Sequence, residues 1–163
     1  MKIDISRISK DTLELMIELS KSDKEYCIPL IDTHGSISSY DVIEGLEHSV
    51  CAIPPSLVAF MVAQFHNHPG ETKVIISDQD MSISYRYNIP LIIGSKKEIK
   101  LLELKPRNTF LEDLDRLVKV QDEIIPKLDR GESIHEDLVE KFRDAHRKAL
   151  SNFNVTYIHM DTT

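Results

Sequence analysis

The apolar run Leu57-Val58-Ala59-Phe60-Met61-Val62-Ala63 leads into Gln64-Phe65-His66-Asn67-His68-Pro69-Gly70, and Ser77-Asp78-Gln79-Asp80 follows after a short loop. The run predicts a buried strand. Alternate side chains of a strand share a face, so His66 and His68 point the same way. Ser77-x-x-Asp80 has the form of a capping box, which predicts a helix opening at Ser77. The chain is thereby constrained to strand, loop, helix, with two imidazoles at the end of the strand and a carboxylate in the helix's first turn.

His66, His68 and Asp80 make up the two-histidine, one-acid set of a catalytic zinc, which keeps a fourth position for water. Asp78 is the competing carboxylate, but it lies about 200° around the helix from Asp80 and outside the Ser77 arrangement. Zinc lowers the pKa of a bound water from about 15.7 to near 7. A glutamate near the metal is the usual acceptor for that proton. Glu25, Glu44 and Glu47 are open to the role. A hydroxyl beside the metal can stabilise an oxyanion, and Ser77 lies one helical turn from Asp80.

With 163 residues, 41% hydrophobic and 29% charged, the chain fits one domain with a modest appendage. No apolar run is long enough to span a bilayer, and Met1–Arg7 lacks the apolar core of a signal peptide. A cytoplasmic protein without membrane partners is expected. The net charge of −7 argues against nucleic-acid binding by phosphate neutralisation. Cys27 and Cys51 lie in apolar contexts outside any C-x-x-C pattern, which predicts two reduced thiols and no zinc ribbon.

Residues 9–21 predict a helix capped by Asp11. Glu25–Ile31 predicts a strand whose Pro29 marks an edge or bulge, and a hairpin turn at 33–36 leads to a second strand over 37–47. Asn88-Ile89-Pro90 closes the helix that opens at Ser77, and 91–94 and 99–104 predict two more strands. Beyond Pro106 the pattern turns helical. Thr109-x-x-Glu112 and Ser133-x-x-Glu136 have capping-box form, Pro126 interrupts the first helix, and Arg130-Gly131 joins an antiparallel pair. Residues 154–159 predict a closing strand. The apolar stripe over 110–125 reads as helix–helix packing, with a dimer seam through this extension as the minority reading.

Glu25, then His66-x-His68-Pro69, then Ser77-x-x-Asp80 resembles the signature of the JAMM (MPN+) metalloproteases. The similarity covers residues 1–105 and leaves 106–163 as a helical extension. It implies an α/β fold of the JAMM, cytidine-deaminase-like kind: a mixed sheet flanked by helices, here with a C-terminal helical pair. It further implies Zn2+ held by His66, His68 and Asp80, with Glu25 as general acid/base and Ser77 as the oxyanion-stabilising hydroxyl. The activity implied is hydrolysis of a peptide or isopeptide bond at the C-terminal tail of a ubiquitin-like or sulfur-carrier protein. Eleven residues lie between His68 and Asp80, one more than the family pattern, whose usual spacing lands on Gln79. The segments flanking the site are also short. The rival readings are a non-catalytic scaffold of the same fold and a relative of the bacterial JAMM proteins linked to DNA repair.

Overall fold

Backbone alternation sorts the residues of the central strand. In β4 (Met61–Asn67), Ala63 and Phe65 join the apolar core on one side, which leaves Gln64 and His66 on the other. The computed structural model describes residues 2–45 and 55–161. The chain divides into two compact units, Met1–Leu104 with Asn154–Thr163, and Lys105–Phe153.

The first unit is α/β, a mixed open sheet flanked by helices. Its strands are β1 (Tyr26–Thr33), β2 (Ser36–Ser39), β3 (Ile43–Glu44), β4, β5 (Leu91–Gly94), β6 (Glu98–Leu104) and β7 (Phe153–Met160). They lie in the order β2-β1-β4-β5-β6-β7, with β3 beside β1. β4 and β5 are parallel, whereas β1–β2, β1–β4 and β5–β6 are antiparallel. The strand at 154–159 thus closes this sheet, so the first unit gains a segment that the sequence boundary at 105/106 assigns to the extension.

Helix α1 (Lys10–Ser20) covers one face, where Met16 packs with Ile28, Leu30, Ala63, Phe65, Ile92 and Leu101. Its close approach to β5 depends on Gly94. A Cβ there would meet Ser20 Oγ at 1.9 Å and the Phe65 ring at 3.0 Å. Helix α3 (Asp78–Tyr87) supplies the crossover from β4 to β5, and buries Met81 and Ser84. Ser84 Oγ donates to Ile89 C=O at 2.7 Å, and Asn88 ends the helix in the left-handed region at φ 51°.

Several local expectations are corrected. Ser9, not Asp11, caps α1, its oxygen accepting from Thr12 N–H. Leu57 and Val58 belong to a short helix, α2 (Pro55–Val58), so β4 begins only at Met61. The strand over 37–47 breaks into β2 and β3, and its end lies outside the described residues. Pro29 accounts for the break. It has no N–H to offer on that side of β1, and its C=O takes the Tyr40 N–H at 2.8 Å as the chain turns away. Pro29 therefore sits between neighbours, not on an edge, and the bulge alternative fits the register shift between Leu30 and Ile31 in the β1–β4 pair. Cys27 is disulfide-bonded, which overturns the reduced thiol expected there, and Cys51 lies outside the described residues.

In the second unit, α4 (Phe110–Asp129) and α5 (Glu136–Leu150) run antiparallel, as the Phe110–Phe153 ring contact at one end and the Glu123–Lys141 ion pair show. Neither expected capping box forms. The Thr109 hydroxyl donates to Asp113 Oδ2, and His135 Nδ1 caps α5 by accepting from Asp137 N–H. Pro126 lies within α4 without ending it. The 110–125 stripe splits: Phe110, Leu117 and Val120 are buried, while Leu111, Val118 and Ile125 are exposed. Among the described residues no helix is long and apolar enough to cross a membrane.

Candidate metal centre

The centre lies where the parallel pair β4–β5 ends and α3 begins, the side of an open α/β sheet on which ligands bind. His66 is the last residue of β4 to pair with β1, opposite Cys27. His68 lies just past the strand, but its N–H still donates to Gly94 C=O at 2.8 Å and continues the ladder with β5. The two rings therefore keep the common face that the i, i+2 spacing implies, with centroids 5.2 Å apart.

Asp80 arrives from the other direction. Ser77 caps α3, its Oγ accepting from Asp80 N–H at 3.1 Å, and Asp80 Oδ2 accepts from Ser77 N–H at 2.9 Å. This capping box fixes the carboxylate at the start of α3, where the helix dipole favours negative charge. The longer loop from Gly70 to Ile76 is absorbed before Ser77. It is pinned by Ser95 Oγ on Thr72 C=O, by Lys96 N–H on Glu71 C=O and by Glu98 Oε2, which accepts from Val74 N–H. Asp80, rather than Asp78, is thus the carboxylate brought to the imidazoles.

Three donor atoms converge. His66 Nε2 lies 3.2 Å from His68 Nε2 and 2.8 Å from Asp80 Oδ1, and His68 Nε2 lies 3.4 Å from Asp80 Oδ2. A tetrahedral zinc with bonds of roughly 2.0–2.1 Å separates its ligand atoms by about 3.3 Å. The 3.2 Å between the two imidazole nitrogens matches that edge, while Asp80 meets them through different oxygens and needs a carboxylate rotation to present one oxygen to the ion. Donor chemistry and spacing both fit a divalent transition metal.

His66 and Asp80 are buried, at 6% and 4% exposure, so their mutual contacts are little screened. Burial opposes ionisation of Asp80, but hydrogen bonds and charge from His66 and His68 hold its carboxyl far below the usual range. Burial also opposes the His68 imidazolium, yet the Asp80 and Glu71 carboxylates raise its pKa from 6.5 to about 9. Glu71 was not singled out by the sequence reading. Its Oε2 lies 2.9 Å from His68 Nδ1, the position of the carboxylate that orients a metal-bound histidine. The signal available was an acid three residues after His68, across the Pro69-Gly70 turn that Gly70 makes at φ 82°.

A cleft of about 870 Å³ opens over this centre, lined by Lys24, Glu25, Glu44, Asn67, His68, Glu71 and Ser77 among others. Glu25 and Ser77 therefore face the same space as His68. Glu44 lines it too, but pairs with Lys24 at 3.4 Å. Glu47 lies outside the described residues. Gln64 shares the His66 face of β4 and donates to Cys27 Sγ at 3.7 Å. No model of a known protein family matches this chain, and no curated protein sequence matches it.

Proposed function

We propose that the protein is a zinc-dependent hydrolase of the JAMM type, cleaving a peptide or isopeptide bond at the C-terminal tail of a ubiquitin-like or sulfur-carrier protein. The observation that carries the reading is the convergence of His66, His68 and Asp80, with His68 lining a cleft that Glu25 and Ser77 also line. A zinc ion held there would supply Lewis-acid charge and make water acidic near neutral pH.

The chain's own groups account for the remaining steps. Glu25 takes a proton from the attacking water and returns it to the leaving amine. Ser77 Oγ spends a lone pair on Asp80 N–H, so its own O–H remains to donate to the oxyanion. Glu71 holds the His68 ring with Nε2 turned inward. The full donor set, with His68 held by Glu71 and Asp80 by Ser77, favours an enzyme over a scaffold of the same fold.

The test is metal analysis together with cleavage of a panel of ubiquitin-like and sulfur-carrier proteins carrying C-terminal fusions. Wild type should bind one zinc per chain and process at least one fusion. Glu25→Ala should keep the zinc and lose activity by roughly 10²–10⁴-fold. Full activity in that variant would remove Glu25 from the role. Failure to bind zinc would remove the whole reading.

A further inference from the structure

Asn67 stands between the two histidines in the sequence, out of alternation with them along β4, and borders the same cleft. It is fully buried. Its amide makes two long-range hydrogen bonds, both to the segment that bears Glu25. Oδ1 accepts from Tyr26 N–H at 2.6 Å, and Nδ2 donates to Lys24 C=O at 2.8 Å. The two bonds bracket Glu25.

Main-chain pairing of β1 with β4 stops at Cys27 and His66. The Asn67 side chain supplies the next rung in place of the backbone, as an amide can, because it carries a donor and an acceptor at peptide spacing. On the other side, Glu25 C=O accepts from Gly45 N–H at 2.8 Å. The backbone at Glu25 is therefore held from both flanks, and one of those holds comes from within the His-x-His motif itself.

We propose that Asn67 is a positioning residue for Glu25, locking the 24–26 backbone to the strand that carries His66 and His68 and so fixing the carboxylate relative to the metal-binding face. The proposal rests on the reading of Glu25 as the proton acceptor. Leucine in this position, of similar size and uncharged, could make neither the Tyr26 nor the Lys24 bond. Alanine would leave both backbone groups without this partner in a partly buried setting. Misplacement of a reacting group by about 1 Å is enough to cost on the order of 10²-fold in rate.

A double-mutant cycle between Asn67 and Glu25 on cobalt-loaded protein tests this. The readout is the pH midpoint of the visible cobalt spectrum, which follows ionisation of the metal's water and needs no substrate. Glu25→Ala should move that midpoint by on the order of one pH unit. Asn67→Ala and the neutral, similarly sized Asn67→Leu should each move it partway in the same direction, and neither should move it further once Glu25 is alanine. In metal-free Asn67→Ala, the Tyr26 amide should exchange its hydrogen faster than in wild type.

An Asn67 effect that persists undiminished in the Glu25→Ala background, or no Asn67 effect at all, overturns the positioning role while leaving Glu25 as the base. Cobalt binding lost in both Asn67 variants makes the residue a support of the sheet and overturns it equally. A midpoint that Glu25→Ala does not move removes the base itself, and the positioning role with it.

Discussion

His68 is gripped at both ring nitrogens, by Asp80 on one side and by Glu71 on the other. In the metal-free protein the two carboxylates raise the imidazole from 6.5 to about 9 against the effect of burial. The folded-state value lies above the unfolded one. The stabilisation is therefore complete below about pH 6.5 and disappears as pH climbs through about 9. Metal-free protein should lose thermal stability across that interval, as a melting series at stepped pH will show. A cation must displace the same proton, so apparent zinc affinity should rise with pH by roughly tenfold per unit until the ring is neutral. Calorimetry in buffers of different ionisation enthalpy counts the proton released, and affinity that ignores pH would refute the assignment. Glu71→Gln should weaken zinc binding by roughly 10- to 100-fold, measured by chelator competition, because the ring loses its orienting carboxylate. The donors themselves were legible, since strand alternation and capping-box spacing act over a few residues. Glu71 was not, because its partner depends on how the Pro69-Gly70 turn folds back.

At the level of elements, the placement of α1 on the sheet turns on Gly94 and Ser20. Gly94→Ala would push a methyl group into Ser20 Oγ and against Phe65, where the nearest separations are 1.9 and 3.0 Å. A loss of about 1–3 kcal/mol is expected from such overpacking, read by urea denaturation. Ser20→Ala in the same chain should restore part of it, since the closest clashing atom is then gone. No recovery would mean that the backbone of β5, rather than the helix side chain, limits the site. Because Gly94 C=O also receives the His68 N–H, zinc affinity should fall alongside stability in Gly94→Ala. The succession of β4, α3 and β5 followed from a strand–helix–strand pattern, whereas the parallel pairing of the two strands came with the structure. Ser9 as the cap of α1 and His135 as the cap of α5 did not follow, because several polar residues near each helix start offer suitable acceptors. The split between β2 and β3 was half visible in Pro29, whose missing donor matters only once its neighbour on that side is known.

Across the whole molecule, the helical pair is inserted between two strands that lie side by side in the sheet. The ends of the insertion meet: Lys105 N–H donates to Asn152 C=O at 2.9 Å, just after β6 and just before β7. Replacing residues 107–150 with a short Gly-Ser turn should therefore leave the sheet intact, whereas truncation after Leu104 removes β7 and bares the edge of β6. Circular dichroism and zinc stoichiometry of the two deletions check this. An unfolded loop-replacement protein alongside a stable truncation would reverse the argument. Composition and periodicity disclosed the helical character of this region. They also marked 154–159 as a closing strand, but not that it lies beside β6, because a strand's partner is a long-range fact.

His66 and Asp80, the outermost of the three donors, stand only fourteen positions apart. A stretch that short can be transplanted. Grafted onto the end of a parallel strand and the start of the following helix in an unrelated scaffold, it should carry its affinity for a cation with it. It would arrive without Glu25, which belongs to a distant part of the chain.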